Sequence, residues 1–420
     1  MKKRSRLLRI SLAILLCITY ISGCTKKEEG NIDHTIENEI GIVKEEESGK
    51  QESDQDGKET LVDAEALYKE ISLEDVFVLD YETLVTIYEI PRVKREVEEG
   101  KGYGMVDAMA TDKGVFYFLE YAWDMAQYAS GYDIGYWNPD TKEHSILYSC
   151  GEGTEREMVN WINEVSGNEE YLVWMEKCPS ETNGVWEMRC MDLDTFTIET
   201  LHSISWDARF ELCPVVSKDY VAWYEPVNEA GEIGIFLYSF ENKEIKRIGV
   251  DERIIWEHPY SRVSVTQDTC TYAAERSGIR QIVEENVVTG EKKAFTVPDQ
   301  TMGILFPVAN DKVIIWRDRY DTDWGIYLYH KEKEQLYYFP EPEGGTIFSD
   351  YLADNTLYIH VQEANMGSRI LTVNLESLDI QVLIEAEKDK DFLLITNSGK
   401  YCSVYTYMDI NKNNYVYVWE

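Results

Sequence analysis

A short phrase recurs seven times between Val115 and Tyr405: a turn, an apolar strand ending in a polar residue, a loop, and a second strand. Its fourth position falls on Phe118, Trp174, Trp223, Ala274, Trp316, His360 and Val404. Two residues later the chain is polar each time, at Glu120, Glu176, Glu225, Arg276, Asp318, Gln362 and Thr406. Successive phrases lie 42 to 56 residues apart, close to the period of one four-stranded blade. The expected fold is therefore all-β: a β-propeller of seven four-stranded blades, with six as the alternative count.

Within each phrase the strands can be placed. Innermost A strands are expected near Met105–Met109, Val159–Asn163, Phe210–Val215, Arg262–Val265, Ile304–Val308, Thr346–Ser349 and Phe392–Thr396. The phrase itself supplies strands B and C, and D strands follow at Ile245–Ile248, Lys293–Val297, Leu336–Phe339 and Ile380–Ile384. The last blade stops at Glu420 after its C strand, so its D strand has to come from elsewhere. Thr86-Ile87-Tyr88-Glu89-Ile90-Pro91 has the shape of the D strands that end in proline, and its insertion would remove two exposed sheet edges.

The first 23 residues read as a secretion signal: Lys2, Lys3, Arg4, Arg6 and Arg9 precede the apolar stretch Ile10–Ile21, which is short for a membrane span. Ile21-Ser22-Gly23-Cys24 then resembles the lipobox of bacterial lipoproteins, which implies cleavage before Cys24 and lipid on its thiol. The alternative is an ordinary signal peptide cut elsewhere. Acyl chains at Cys24 would anchor the chain to a membrane, at about 0.8 kcal/mol per buried methylene. Residues 24–62 are polar and mostly acidic, too poor in apolar surface to fold, and are expected to form a tether. Residues 63–83 are expected to be a lead-in. Within Leu61–Ile71 the apolar stripe Leu61, Ala64, Leu67 and Ile71 predicts a short helix, and Val76–Asp80 is strand-like. The propeller is assigned to residues 84–420.

The formal net charge is −37, and about −42 once the signal is removed. So acidic a body repels nucleic acid and anionic headgroups, leaving cationic partners, metal ions and neutral ligands. Six cysteines belong to the body: Cys150, Cys178, Cys190, Cys213, Cys270 and Cys402. They show no Cys-x-x-Cys pair, so buried free thiols are expected. Cys178 and Cys190 flank one hairpin and form the expected disulfide if the compartment is oxidising.

From roughly Leu84 to Glu420 the repeat resembles the TolB-like and WD-type propellers of bacterial envelope proteins, by its pattern of strands, since the Asp and Pro-Asp-Gly signature of those repeats is largely missing. The resemblance implies a binding scaffold with ligands at one mouth of the ring. In this chain the long loops run from B to C, which puts Glu120, Asp124, Glu176, Glu225, Glu229, Asp318, Asp321 and Asp323 on one face. Trp206, Trp256 and Trp324 add aromatic surface there, and a cationic or sugar-like ligand would suit it. A merely solvated rim accounts for the same carboxylates. Trp174, Trp223 and Trp316, by their repeat positions, are expected in the blade core, with His360 beside them.

Catalytic motifs are thin. The chain has no Gly-x-Ser-x-Gly elbow, no His-Glu-x-x-His and no phosphate loop before a helix. A resemblance to the propeller half of prolyl oligopeptidases thus stops short of their hydrolase domain. Asp318, Asp321 and Asp323 could hold calcium, though EF-hand spacing is absent. His202 and His258 keep open a metal-dependent lyase acting on acidic sugars. The expectation is a membrane-tethered extracytoplasmic propeller that binds a protein or glycan ligand without chemistry. The rivals are a polysaccharide-active enzyme and a structural subunit of an envelope complex.

Overall fold

The computed structural model describes residues 60–63, 68–71, 73, 77–78, 86–90, 101–123, 129–150, 161–178, 185–205, 213–228, 231–255, 263–297, 304–320, 323–353, 355–363, 367–385, 393–397, 401–406 and 414–419. Four strands come before the first blade: β1 (Thr60–Asp63), β2 (Tyr68–Glu70), β3 (Phe77–Val78) and β4 (Thr86–Ile90). Blade 1 is β5 (Lys101–Thr111), β6 (Gly114–Trp123), β7 (Ala129–Asn138) and β8 (Glu143–Cys150). Blade 2 is β9 (Trp161–Gly167), β10 (Tyr171–Cys178), β11 (Val185–Asp192) and β12 (Ile198–Ser205). Blade 3 is β13 (Val215–Val216), β14 (Tyr220–Pro226), β15 (Ile233–Ser239) and β16 (Ile245–Ile248). In blade 4 the innermost strand is split into β17 (Arg253–Ile254) and β18 (Ser264–Thr266), followed by β19 (Thr269–Arg276), β20 (Ile279–Asn286) and β21 (Lys292–Thr296). Blade 5 is β22 (Leu305–Ala309), β23 (Val313–Tyr320), β24 (Asp323–His330) and β25 (Gln335–Pro340). Blade 6 is β26 (Gly345–Ala353), β27 (Thr356–Glu363), β28 (Gly367–Asn374) and β29 (Ile380–Glu385). Blade 7 is β30 (Leu393–Asn397), β31 (Cys402–Thr406), β32 (Asn414–Trp419) and, as its fourth strand, β4.

Within every blade the strands are antiparallel neighbours, and each blade touches the next all the way round. Blade 1 meets blade 2 through β7 and β9, β9 meets β13, β13 meets β18, and β18 meets β22. Blade 5 reaches blade 6 through β24 and β26, β26 meets β30, and β30 and β31 return to β5. The ring is closed. It is a β-propeller of seven four-stranded blades, and Thr86–Ile90 completes the last one, with Ile87 opposite Tyr417 and Ile90 opposite Asn414.

The core lies between blades because each sheet turns an apolar face to its neighbour. Met109, Phe116, Phe118 and Ile134 of blade 1 pack on Leu172, Trp174 and Met191 of blade 2. Trp223 of blade 3 joins Met175, Trp186 and Met188 of blade 2, and Trp316 of blade 5 packs on Ile282 and Phe295 of blade 4. Serine hydroxyls stitch the inner ring: Val216 N donates to Ser166 Oγ at 3.1 Å, Ala309 N to Ser264 Oγ at 3.4 Å and Ala110 N to Ser403 Oγ at 3.0 Å.

The turns from C to D repeat one another. Each opens on a polar residue, at Asn138, Asp192, Ser239, Asn286, His330 and Asn374, and its fifth residue adopts positive φ: Lys142, Phe196, Lys243, Gly290, Glu334 and Leu378. Asn138, Asp192, Asn286 and Asn374 each accept two turn N–H groups on the side-chain oxygen. Such Asx turns satisfy the backbone locally and tolerate a left-handed residue. Glycine fills that place only in blade 4.

Three expectations are corrected. Leu61–Ile71 is not a helix: Thr60–Asp63 pairs in parallel with Lys293–Thr296, and Tyr68–Glu70 with Leu336–Tyr338. Ile71 N also donates to Tyr338 O at 2.8 Å. An isolated helix of that length is marginal in water, whereas the outer strands of blades 4 and 5 present unpaired N–H and C=O groups. Residues 60–62, assigned to the tether, are thus strand, as are Tyr68–Glu70 and Phe77–Val78 of the lead-in, with Leu73 buried in the core of blades 5 and 6 and Phe77–Val78 beside Gln381–Val382. Second, Cys178 and Cys190 do not form a disulfide. Cys178 lies opposite Val185, and Cys190, a free buried thiol, lies opposite Val173. Five residues of strand separate Val173 from Cys178, about 17 Å, far beyond the Cα separation of about 7 Å that a disulfide bridges. Third, the B and C strands run further toward the mouth than expected. Glu120, Glu176, Glu225 and Asp318 stand in B strands, Asp323 and Trp324 open a C strand, and Tyr320 already pairs with Asp323.

Candidate functional site

The B to C end of the ring is the candidate mouth, and the polar residue two places after each blade-core position lies closer to it along the B strand. Positions i and i+2 of a strand share a face, so this polar side chain stands beside the core aromatic and faces the same neighbouring blade. In blade 2, Tyr148 Oη from blade 1 donates to Glu176 Oε2 at 2.7 Å, while its ring lies 5.7 Å from that of Trp174. Arg189 Nε is 3.6 Å from the same oxygen. Burial and the Glu176 carboxylate raise the Tyr148 phenol above its ordinary range, so the hydroxyl keeps the proton it donates.

Blade 3 repeats the arrangement with other residues. His202 Nε2 of blade 2 is 2.9 Å from Glu225 Oε2, its ring 5.4 Å from that of Trp223, and Trp223 Nε1 donates to the same Glu225 oxygen at 3.0 Å. Blade 4 reverses the charges. Arg276 takes the carboxylate's place and pairs through two nitrogens with Glu252, which follows the last strand of blade 3, and Lys292 Nζ reaches Glu252 at 3.0 Å. Glu285 beside them accepts Tyr272 Oη at 2.7 Å and Gly249 N at 3.1 Å. At Glu176, Glu225 and Arg276 the repeated polar position is thus a clasp between blades.

Of the partners in this clasp, Tyr148 and Glu252 were not singled out from the sequence, and His202 was singled out for metal chemistry rather than as the partner of Glu225. Their signal is a second register: each lies at or just after a D strand and meets the polar position of the following phrase. A pair of a different kind joins blades 5 and 6: Arg317, one residue before the polar position, is bound by Asp350 of the next blade's innermost strand and donates to Phe348 O at 3.1 Å, its guanidinium 5.1 Å from the Phe306 ring centroid.

Of the residues expected at the rim, Glu176 is 1 % and Asp318 3 % exposed, so neither is a solvated rim group as the fold stands. Glu225 is half-buried with 17 % of its side chain exposed, and is the described carboxylate with some access. Glu120, Asp323 and Trp324 lie on strands whose side chains fall outside the description at those positions, and Asp124, Glu229, Asp321, Trp206, Trp256 and His258 lie outside the described residues. His202 is engaged by Glu225, and among the described residues no group of three His, Cys, Asp or Glu side chains is arranged to hold a metal ion. His360 fills its blade-core slot: fully buried, with Nε2 3.0 Å from Ser368 Oγ, and pushed down to about 4 by burial and the nearby Arg317 charge.

No family model matches this chain, and no curated protein does. Solved structures do resemble it. TolB from Acinetobacter baumannii aligns over 76 % of this chain and 80 % of its own at 10 % identity, with a TM-score of 0.40. The β-propeller domain of the Trilobed protease from Pyrococcus furiosus aligns over 76 % and 93 %, also at 10 % identity, with a TM-score of 0.49. An uncharacterized protein from Listeria monocytogenes EGD-e aligns over 74 % and 93 % at 10 % identity, with a TM-score of 0.48. These are likenesses of shape; identities this low say nothing about activity.

Proposed function

We propose that this chain is a membrane-anchored, extracytoplasmic propeller that serves as a binding scaffold and performs no chemistry. The observation that carries the reading is the engagement of the described polar groups at the mouth end. Tyr148–Glu176, His202–Glu225 and Arg276–Glu252 hold blades together, an arrangement suited to a stiff platform. The basic and apolar leader followed by Ile21-Ser22-Gly23-Cys24 supports lipid on Cys24 and a place outside the cytoplasmic membrane. The rim candidates for a cationic or sugar-like ligand remain Glu120, Asp124, Glu225, Asp321, Asp323 and Trp324. Glu176 and Asp318 are reached only if the blade ends part.

The test is affinity capture by the full chain, comparing the natural protein with the combined variant Asp321→Asn, Asp323→Asn, Trp324→Ala. A partner protein or glycan retained by the first and lost by the second, at unchanged melting temperature, is the expected result. Metal uptake together with turnover of acidic glycans would replace the scaffold reading by the enzyme. A stably co-purifying protein that is indifferent to these substitutions would make the chain a structural subunit of a complex.

A further inference from the structure

Among the described strands, the innermost strand of blades 1, 2, 5 and 6 breaks register at or beside the blade-core residue, which is Phe118, Trp174, Trp316 or His360. Such bulges re-aim a side chain without ending the strand. Blades 5 and 6 each carry a phenylalanine there. Phe306 adopts a φ of 50°, although it precedes Pro307, a place that otherwise holds a residue to extended backbone. Phe348 is 46 % exposed on a strand flanked by β27 and by the two neighbouring blades, so the solvent it meets is that of the central channel. It stands three residues in from Gly345, which lies opposite Glu363 at the mouth end, about 10 Å down the channel at roughly 3.3 Å per residue.

The described polar groups around this ring are engaged with one another. Arg317 is bound by Asp350 and donates to Phe348 O. His360, its ring 5.3 Å from that of Phe348, has Nε2 within hydrogen-bond distance of Ser368 Oγ. A neutral sugar needs several convergent hydrogen-bonding groups, and these are already committed. The loop that leads into β26 carries Glu341, which accepts Ile347 N at 2.8 Å, and the exposed Glu343. In a chain with a net charge of −37, an aromatic face inside a mouth that bears carboxylates suits a cation, drawn in by the field and held over the ring.

We propose that Phe348 and Phe306, at the inner edge between blades 5 and 6, form a subsite for a small organic cation with apolar groups around its charge, which enters through the B to C mouth. The subsite rests on the scaffold reading and deepens it by giving the channel a ligand class.

Choline is the probe, titrated by calorimetry into the full chain beside its uncharged isostere, in which carbon replaces the nitrogen. Choline should bind saturably and at least about fivefold more tightly than the isostere, as a cation held over a ring face does. Phe348→Ala should abolish that binding at unchanged melting temperature. Pentafluorophenylalanine at position 348 keeps the ring's shape but reverses the charge distribution of its face, and should weaken choline to the level of the isostere; it serves as the test if the alanine variant unfolds. No binding, equal binding of the two compounds, or binding indifferent to position 348 would overturn the subsite. A lysine peptide bound more tightly than choline at the same residue would overturn the small ligand in favour of a partner protein's side chain. The scaffold reading fails separately, if capture by the full chain is indifferent to the substitutions at Asp321, Asp323 and Trp324.

Discussion

Tyr148 and His202 do the same work in successive blades: each lays a ring beside a buried Trp and hydrogen-bonds the Glu two residues further on. Glu225→Ala would leave His202 without its carboxylate and the Trp223 indole N–H without its acceptor. Because a buried donor left unpaired costs about 1–3 kcal/mol, the variant should unfold at lower urea by that amount. An unchanged midpoint would mean the clasp contributes nothing. His360 makes a prediction about pH. Its folded value of about 4 lies below the ordinary 6.5, so below pH 6.5 the unfolded chain takes up a proton that the folded chain refuses. Stability conferred by the neutral ring is therefore present above pH 6.5 and falls as the pH drops toward 4, by about 3 kcal/mol in all. His360→Gln should flatten this part of the profile in urea titrations at pH 7 and pH 4.5, and an unaltered slope would refute it.

At the scale of elements, the N-terminal strands divide the work of guarding edges. Strands β1, β2 and β3 cover the outer strands of blades 4, 5 and 6, and these carry apolar residues such as Phe295, Leu336, Phe339, Ile380 and Val382. Among the described residues no strand covers β8, β12 or β16. Those edges carry Glu143, His144, Glu199, Lys246 and Arg247, and the pairing of β8 and β12 with their neighbours is broken by irregular register. Charges and bulges are the usual protection of a bare edge. Strand β4 differs in kind, since it is an integral strand of blade 7. Removing residues 1–79 should lower the melting temperature while leaving a cooperative transition and a monomer. Removing residues 1–91 opens the ring and should bring aggregation in sedimentation velocity. If both truncations behaved alike, the closing role of β4 would be refuted.

For the whole molecule, the cores between blades and the thiols within them set a further expectation. Cys190 and Cys270 are free and buried, and burial together with Glu199 and Asp192 pushes the Cys190 thiol up to about 12. Thiolate is the reactive form, so these two sites should resist alkylation in the folded protein and react once it is denatured. Reductant should leave their protection unchanged. Rapid native labelling of Cys190 would show that the blade 2 and blade 3 core opens readily.

Much of this architecture is legible along the chain because a propeller is a local repeat. Each blade is an antiparallel meander, its register is set by short turns and by alternation, and the spacing of Trp174, Trp223 and Trp316 reports both. Thr86–Ile90 could be assigned to blade 7 for a related reason: a ring short of one strand demands one, and Ile90-Pro91 looked like the ends of its sister strands. What the sequence could not specify arises between blades. Whether Leu61–Ile71 is helix or strand depends on the edges of blades 4 and 5, more than two hundred residues away, since a segment this short has little preference of its own. The polar residue after each Trp looked like a mouth group because its partner belongs to the preceding repeat, and only the packing of one blade on the next brings Tyr148 to Glu176 and His202 to Glu225. Periodicity therefore determined the blades and the closing strand, while the tertiary structure decided the clasps, the edge strands and the free thiols, because these depend on distances across sheets that no spacing along the chain records.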